Sequence, residues 1–263
     1  MTTGALIFAF NNEATDYVKL AAWSAERIRR FLDIPVAIVT NDPGVQGFDR
    51  VIVAQPSTGG TRHFEDHGQR VSWHNASRVD AYDLSPWDRT LLLDADYVIN
   101  SSDLALLLTY DLDIMLHDRA LDVTGRSMHG HATYGRHALP MSWATVMTWR
   151  RSAMAGYVFG MMQMIRDNWS HYRELYGINQ ATYRNDYAVS MALQLVNGCT
   201  ARVSAIPWSL WSVMPDTELE QVSDTDWRCT WRTSQGAMRA TGFNGLDFHA
   251  MGKSHLEAVI EAA

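Results

Sequence analysis

The 263-residue sequence predicts an α/β fold, a single domain whose mostly parallel central sheet is flanked by helices. Three features carry that expectation. The chain opens with apolar strand, amphipathic helix and apolar strand in succession, the unit from which parallel sheets are built. A second buried run, residues 91–93, ends abruptly in two carboxylates, Asp94 and Asp96, separated by Ala95. Finally, 47% hydrophobic against 19% charged residues is globular composition at a length that buries a large core.

In order, residues 5–10 read as a buried strand, with Asn11 and Asn12 supplying the turn after it. A helix follows, with Tyr17, Leu20, Ala21, Ser24, Ile28 and Phe31 on one face. Its charges match its dipole: Glu13 and Asp16 stand near the start, Arg27, Arg29 and Arg30 near the end. Strands are expected at 36–40 and 50–54. Residues 56–70, rich in Gly, Thr and His without apolar periodicity, read as a mobile loop. A helix over 72–83 precedes the central strand, and Asp103 is expected to cap a short helix at 104–108. Further strands fall at 112–116, 143–149 and 201–206. Residues 152–176 read as the longest helix, with a Met and aromatic stripe of the kind that usually forms core. Another helix opens at Asn185 and Asp186 and runs to 196. The Trp-rich stretch 208–231 gives no pattern from which its layout follows. A strand end at 245–250 and a short helix from Ser254 close the chain.

A formal charge of −7 argues against general coating of nucleic acid or of an anionic membrane, while leaving room for a local basic patch. Such a patch is expected in the loop 122–140, which holds Arg126, His129, His131, Arg136 and His137 with Asp122 as its acid. This loop and 56–70 would form two sides of an acceptor cleft. His129 and His131 are read as solvated loop residues in preference to metal ligands. No run approaches the ~18 apolar residues of a membrane span. The N-terminal apolar stretch lacks a positively charged lead, so a cytoplasmic protein is expected. Cys199 and Cys229 lack ligand-like spacing and are expected to be reduced core thiols.

The chemistry concentrates at Asp94 and Asp96. In an open α/β sheet the ligand crevice lies off the carboxyl ends of the strands. Carboxylates there suit a hard cation bound to phosphate oxygens. The sequence holds two other Asp-x-Asp triplets, at 111–113 and 224–226, but neither ends an apolar strand, and both read as solvated turns. Residues 10–14 contain no glycine, so a dinucleotide-type phosphate loop is excluded, and no Walker loop occurs. Phosphates would have to be neutralised by a cation and by basic side chains. Near the end of the chain, His249 and Lys253 could supply a nitrogen ligand and an ammonium group.

Taken together, the opening strand with its polar exit and Tyr17, Arg78 ahead of the acidic pair, the Asp94 and Asp96 motif, and the 249–253 segment resemble the GT-A glycosyltransferases. The resemblance is to the glycogenin-like type that includes the bacterial lipooligosaccharide galactosyltransferases. It implies a Rossmann-like single domain over residues 1–253, with 254–263 as a short C-terminal helix or tail. It implies that Asp94, Asp96 and His249 ligate Mn²⁺ (or Mg²⁺), with Arg78 and Lys253 adding positive charge at the diphosphate. Ala9, Asn11, Tyr17 and Ala95 would contact the nucleotide of a UDP-sugar. Asn185 and Asp186 would lie at the reacting sugar carbon, Asp186 as the carboxylate that positions the sugar or stabilises oxocarbenium charge, with retention inherited from the family. The sequence departs from the family pattern at Trp143, Ala144 and Thr145, in the order Asn185 then Asp186, and at Ser254 and His255 after the lysine.

The activity implied is transfer of a sugar from a nucleoside-diphosphate sugar to an acceptor hydroxyl. The stretch 184–190 also looks like glycosyltransferases of tailed phages. That resemblance implies hydroxymethylated pyrimidine in DNA as one acceptor, reached through the loop 122–140, and the host cytoplasm as the location. Saccharide, lipid or protein acceptors are alternatives, as is a non-catalytic nucleotide-sugar or carbohydrate binding protein. A nucleotidyltransferase would be expected to carry a glycine-rich, arginine-containing loop after the first strand, which is missing here.

Overall fold

The computed structural model describes residues 1–57, 60–64, 69–128, 132–198 and 205–262. The chain begins with β1 (Thr3–Phe8), α1 (Tyr17–Leu32), β2 (Val36–Thr40) and β3 (Arg50–Val53). The expected strand–helix–strand opening is therefore present. Asp16 caps α1 by accepting the Lys19 N–H at 3.0 Å. Asp33, at φ 54°, takes the left-handed position that ends the helix and donates its N–H to the Arg29 carbonyl.

Next come a hairpin, β4 (Thr61–Phe64) and β5 (Gln69–Ser72), a 3₁₀ segment (Asn75–Asp80), α2 (Ala81–Leu84), β6 (Arg89–Leu93) and β7 (Tyr97–Val98). The loop expected at 56–70 is thus partly a hairpin. Its strands are polar and held by backbone pairing, so no apolar alternation announces them. The helix expected over 72–83 is the 3₁₀ segment plus the single turn of α2. In α3 (Asp103–Leu107) the N-cap is Ser102, with Asp103 already in the first turn. Then follow β8 (Ile114–His117), β9 (Ala120–Asp122), a small hairpin of β10 (Thr133–Tyr134) and β11 (Leu139–Pro140), and β12 (Trp143–Arg150). At Gly135 in that hairpin, with φ +67°, an added Cβ would lie 2.3 Å from the Tyr176 carbonyl oxygen, so glycine is required there.

The long helix divides into α4 (Ala153–Asp167) and α5 (Trp169–Tyr176). Asn168 leaves helical geometry at φ −117° and its amide Nδ2 donates to the Met164 carbonyl, competing with the backbone ladder. After α6 (Asn185–Val196) come β13 (Leu210–Val213), β14 (Glu218–Gln221), β15 (Asp226–Arg232), β16 (Met238–Asn244), β17 (Phe248–Ala250) and α7 (Lys253–Ala262). His129, His131, Cys199 and most of the strand expected at 201–206 lie outside the described residues; Ala205 bridges Leu116 in parallel. Cys229 is a buried free thiol, pushed up to about 12 by burial, in keeping with a core role.

The main sheet has the order β3-β2-β1-β6-β12-β8. The first four strands are parallel, and β12 is antiparallel to both its neighbours. Chain order reverses between β1 and β6, and at such a switch point the flanking connections diverge and leave a crevice. A second sheet, β7-β17-β13-β9, abuts this crevice. The Trp-rich region resolves into β13 and an antiparallel meander, β14-β15-β16.

Trp227, 1% exposed, ties the meander to the body. It meets Phe248 edge-on at 5.1 Å and donates its indole N–H to Asn100 Oδ1 at 2.9 Å. Arg27, buried beneath Trp23 and Trp227, donates to the Ile99 carbonyl at 2.7 Å and to the Asp224 carbonyl at 2.6 Å. Asp247 Oδ1 accepts the N–H groups of Asn100 at 2.6 Å and Ser101 at 2.8 Å. These bonds fix the approach of β17 to β7, whose register places His249 opposite Tyr97. Among the described residues no helix is long and apolar enough to cross a membrane.

Candidate active site

The carboxyl ends of β1 and β6 open into a cavity of about 420 Å³. The β6 strand stops at Leu93 because the chain turns: the Tyr97 N–H donates to the Asp94 carbonyl at 3.1 Å, and β7 starts at once in the second sheet. Asp94 and Asp96 thus stand on the turn between two sheets. The second sheet returns His249 to the same place, since the Ala250 N–H donates to the Asp96 carbonyl at 3.0 Å. Asp94, Asp96 and His249 each offer one ligand atom, all within 4.8 Å of one another.

The surroundings treat the two carboxylates differently. Arg78, 2% exposed, is ion-paired with Asp94 Oδ1 and donates Nη2 to the Thr145 carbonyl at 3.1 Å. Burial lowers its pKa to about 10 against the opposing pull of Asp186 and Asp96, which leaves it charged at neutral pH. Asp96 Oδ2 faces His249 Nε2 at 3.3 Å and is ion-paired with Lys253 Nζ. Burial alone would raise the Asp96 carboxyl, but the charges and hydrogen bonds of Lys253 and His249 outweigh it and hold the group well below the usual carboxylate range.

A bulge in β12 supplies the far wall. Pairing with β8 jumps from Trp143 opposite His117 to Met147 opposite Leu116. The backbone of this stretch serves the site three times. The Thr145 carbonyl accepts from the Asp94 N–H at 3.0 Å and from Arg78, and the Ala144 N–H donates to Asp186 Oδ1 at 2.9 Å. The sequence departure at 143–145 therefore falls where the chain contributes main-chain groups, which any residue carries. Asp186 lies in the first turn of α6, where the helix dipole favours a carboxylate, and its Oδ2 is paired with Arg184 at 2.9 Å. Asn185 Nδ2 donates to the Asn75 carbonyl at 2.9 Å, while its Oδ1 is buried without a partner.

Tyr17, Arg78, Asp94, Ala95, Asp96, Asn185, Asp186, His249 and Lys253 all line the cavity. Ala9 and Asn11 do not. Ala9 is fully buried, and Asn11 is exposed with its Oδ1 taken by the Val18 N–H; Phe8, Phe10 and Asn12 line the cavity beside them. Trp73, Asn75 and Arg184 also line it and escaped the sequence reading. For Arg184 a signal was available, since it opens the stretch 184–190 next to Asn185. Arg126 in the loop 122–140 is engaged with Asp122 at 2.9 Å, with both oxygens of Asp216 at 2.9 and 2.8 Å, and with Thr217. The positive charge expected of it is spent inside the chain by an acid that lies 90 residues away.

The other Asp-x-Asp triplets remain structural. Asp113 pairs with Arg150 at 3.0 Å, and Asp226 accepts the Ser223 hydroxyl at 2.5 Å in a turn.

No family model matches the sequence, and no curated protein does. Among solved structures, the chain is similar to the glycosyltransferase GlyE of Streptococcus pneumoniae TIGR4, at 13% identity and a TM-score of 0.44 over 79% of this chain. It spans less than half of that protein, 46%. It is similar to the galactosyltransferase LgtC, solved with donor and acceptor sugar analogues, at 16% identity and a TM-score of 0.46, over 72% of this chain and 70% of that one. It is also similar to the bifunctional IspDF of Campylobacter jejuni, at 10% identity and a TM-score of 0.40, over 80% and 50% of the two chains. At such identities and TM-scores these likenesses assign the chain neither family nor activity.

Proposed function

We propose that the protein is a divalent-cation-dependent glycosyltransferase of GT-A type that moves a sugar from a nucleoside-diphosphate sugar to an acceptor hydroxyl. The observation that carries this reading is the convergence of Asp94, Asp96 and His249 at the switch point of a mostly parallel sheet, on a cavity that Lys253 also lines. The donor set fits a divalent cation. Two ligands of one ion stand at most about 4 Å apart for bonds near 2.1 Å, so a set within 4.8 Å needs only a small contraction. Two carboxylates with one imidazole suit Mn²⁺, and Mg²⁺ less well.

Bound there, the cation would act as a Lewis acid on the donor diphosphate. The chain's own residues do the rest. Arg78 holds Asp94 in place and balances its charge from behind, instead of touching phosphate. Lys253 provides a mobile positive charge at the leaving diphosphate as the bond to the anomeric carbon breaks. Tyr17, at the start of α1, offers its ring to the base of a uridine nucleotide, beside the backbone near Ala9 and Asn11. Asp186, fixed by the Ala144 N–H and Arg184, presents a carboxylate toward the sugar, with Asn185 at its side. Such an arrangement orients the sugar and stabilises positive charge developing on it; retention of configuration belongs to the same proposal. Because Arg126 is internally paired, a polyanionic acceptor draws less support from the loop 122–140 than its composition promised. Hydroxymethylated DNA therefore stands beside saccharides in the acceptor screen.

The test is release of nucleoside diphosphate from a panel of nucleotide sugars, with Mn²⁺ and with chelator. Chelator-sensitive release from one donor is the expected outcome. Absence of both turnover and metal-dependent donor binding across the panel would remove the proposal.

A further inference from the structure

Asp94 and Asp96 hold their cations in different ways. Arg78 is nearly sealed from solvent and pinned to Thr145 as well as to Asp94, so it cannot leave without burying an unpaired charge. Lys253 is placed to move. Its side chain is 13% exposed on the cavity wall, its ammonium sits on a flexible four-carbon stem, and it also donates to the Met251 carbonyl at 3.0 Å. It occupies the first residue of α7, where the helix dipole disfavours a cation, so the helix gives no reason for a positive charge at this point.

The contact made by that ammonium is the informative one. It pairs with Asp96 Oδ2, the same oxygen that faces His249 Nε2. A divalent cation held by Asp94, Asp96 and His249 would have to share this oxygen with Lys253, which puts like charges within a few ångströms of each other in a largely buried wall. The two cannot both keep it.

We propose that Lys253 is an exchangeable counter-ion: it neutralises Asp96 until a divalent cation takes that carboxylate, and the displaced ammonium then swings onto the diphosphate oxygens of the donor. Cation and nucleotide consequently load together. The cation alone must evict Lys253 with nothing to receive it, and the nucleotide alone meets an ammonium already committed. This inference rests on the cation and nucleotide-sugar reading above, and Arg78 serves as its internal contrast, a fixed partner for the other carboxylate.

The experiment is Mn²⁺ binding to the purified full chain, followed by the electron paramagnetic resonance signal of free Mn²⁺, with and without UDP, for wild type, Lys253→Met and Lys253→Arg. In the absence of UDP, Lys253→Met should bind Mn²⁺ about tenfold more tightly than wild type, and the factor by which UDP tightens Mn²⁺ binding should shrink by about the same amount. Lys253→Arg keeps the charge and should stay near wild type without UDP. Should Lys253→Met fail to melt cooperatively, Lys253→Gln replaces it with the same expectation. A Met or Gln variant that folds and binds Mn²⁺ no more tightly than wild type overturns the exchange while leaving the cation site standing. Absence of Mn²⁺ binding in every protein, with UDP as well as without, overturns the site itself and the exchange with it.

Discussion

Asp94 and Asp96 look equivalent in the sequence, yet their replacement should have unequal costs. Removing the Asp94 charge leaves Arg78 ionised in a site where it is 2% exposed, with its Nε already lacking a partner. Asp94→Asn should therefore lower stability by about 2–4 kcal/mol. Asp96→Asn also breaks a largely buried pair, but the released Lys253 can turn toward the cavity, so its cost should be smaller than that of Asp94→Asn. Both should lower turnover by about 100-fold or more. Urea melts beside the release assay check this, and equal stability losses would mean that Arg78 is not held by Asp94. A second buried titrating group gives a pH signature. His117 is fully buried, its Nδ1 lies 3.0 Å from the Trp208 carbonyl, and burial lowers its pKa from 6.5 to about 4. Between those values the unfolded chain binds the extra proton, so stability from this group is complete above pH 6.5 and is lost as pH falls toward 4. The loss is on the order of 3 kcal/mol. His117→Gln should remove that part of the dependence, visible as urea midpoints that fall less steeply with acid than those of wild type. Of the site residues, the acidic pair, His249 and Lys253 were legible because charge interrupts apolar runs there. The partner of Arg126 was not, because Asp216 reaches it through the fold, and nothing local marks the pairing.

Among the elements, those with a strong apolar period were legible: α1 and β2 stand where the sequence puts them. The meander was not. Its strands expose much of their surface, so the period-2 signal is diluted, and the largest side chain that attaches it to the body is the buried Trp227. Trp227→Ala removes the indole contact with Phe248 and the hydrogen bond to Asn100, and should cost about 3–5 kcal/mol. A fall of roughly 10 °C in melting temperature is expected. If the variant melted like wild type, the meander would be a passenger on the main sheet. The break between α4 and α5 went unseen for a different reason. Asn168 is an ordinary surface residue in composition, and its effect comes from a side chain that bonds back to the Met164 carbonyl. The bulge in β12 was equally silent, although its carbonyl and amide groups do as much to place Asp94, Arg78 and Asp186 as any side chain.

At the scale of the whole molecule, the cavity carries three acids, Asp94, Asp96 and Asp186, each already paired with a base: Arg78, Lys253 and Arg184. Arg70 lines the cavity as a further cation, so a divalent cation adds positive charge to a wall whose acids are already balanced, which suits a diphosphate ligand and makes the two bind as a set. The Mn²⁺–UDP pair, at about a hundred times its joint dissociation constant, should stabilise the chain by about 3 kcal/mol, raising the melting temperature by several degrees. UDP with chelator should give little of that shift. An equal shift with chelator would place the nucleotide somewhere other than on the Asp94 and Asp96 wall. The sequence could expose the pieces of this arrangement but not the pairing of its acids, which draws on the 3₁₀ segment, the β6–β7 turn, α6 with its cap residue, and α7.

The pairing of β7 with β17 sets His249 opposite Tyr97 and so against Asp96, 153 positions away in the chain. A chain that has formed its first parallel strands but not this contact holds two carboxylates and no nitrogen ligand. Capture of the ion then becomes a clock: in a refolding time course, the moment at which Mn²⁺ leaves solution would record when the distant ends of the fold have met.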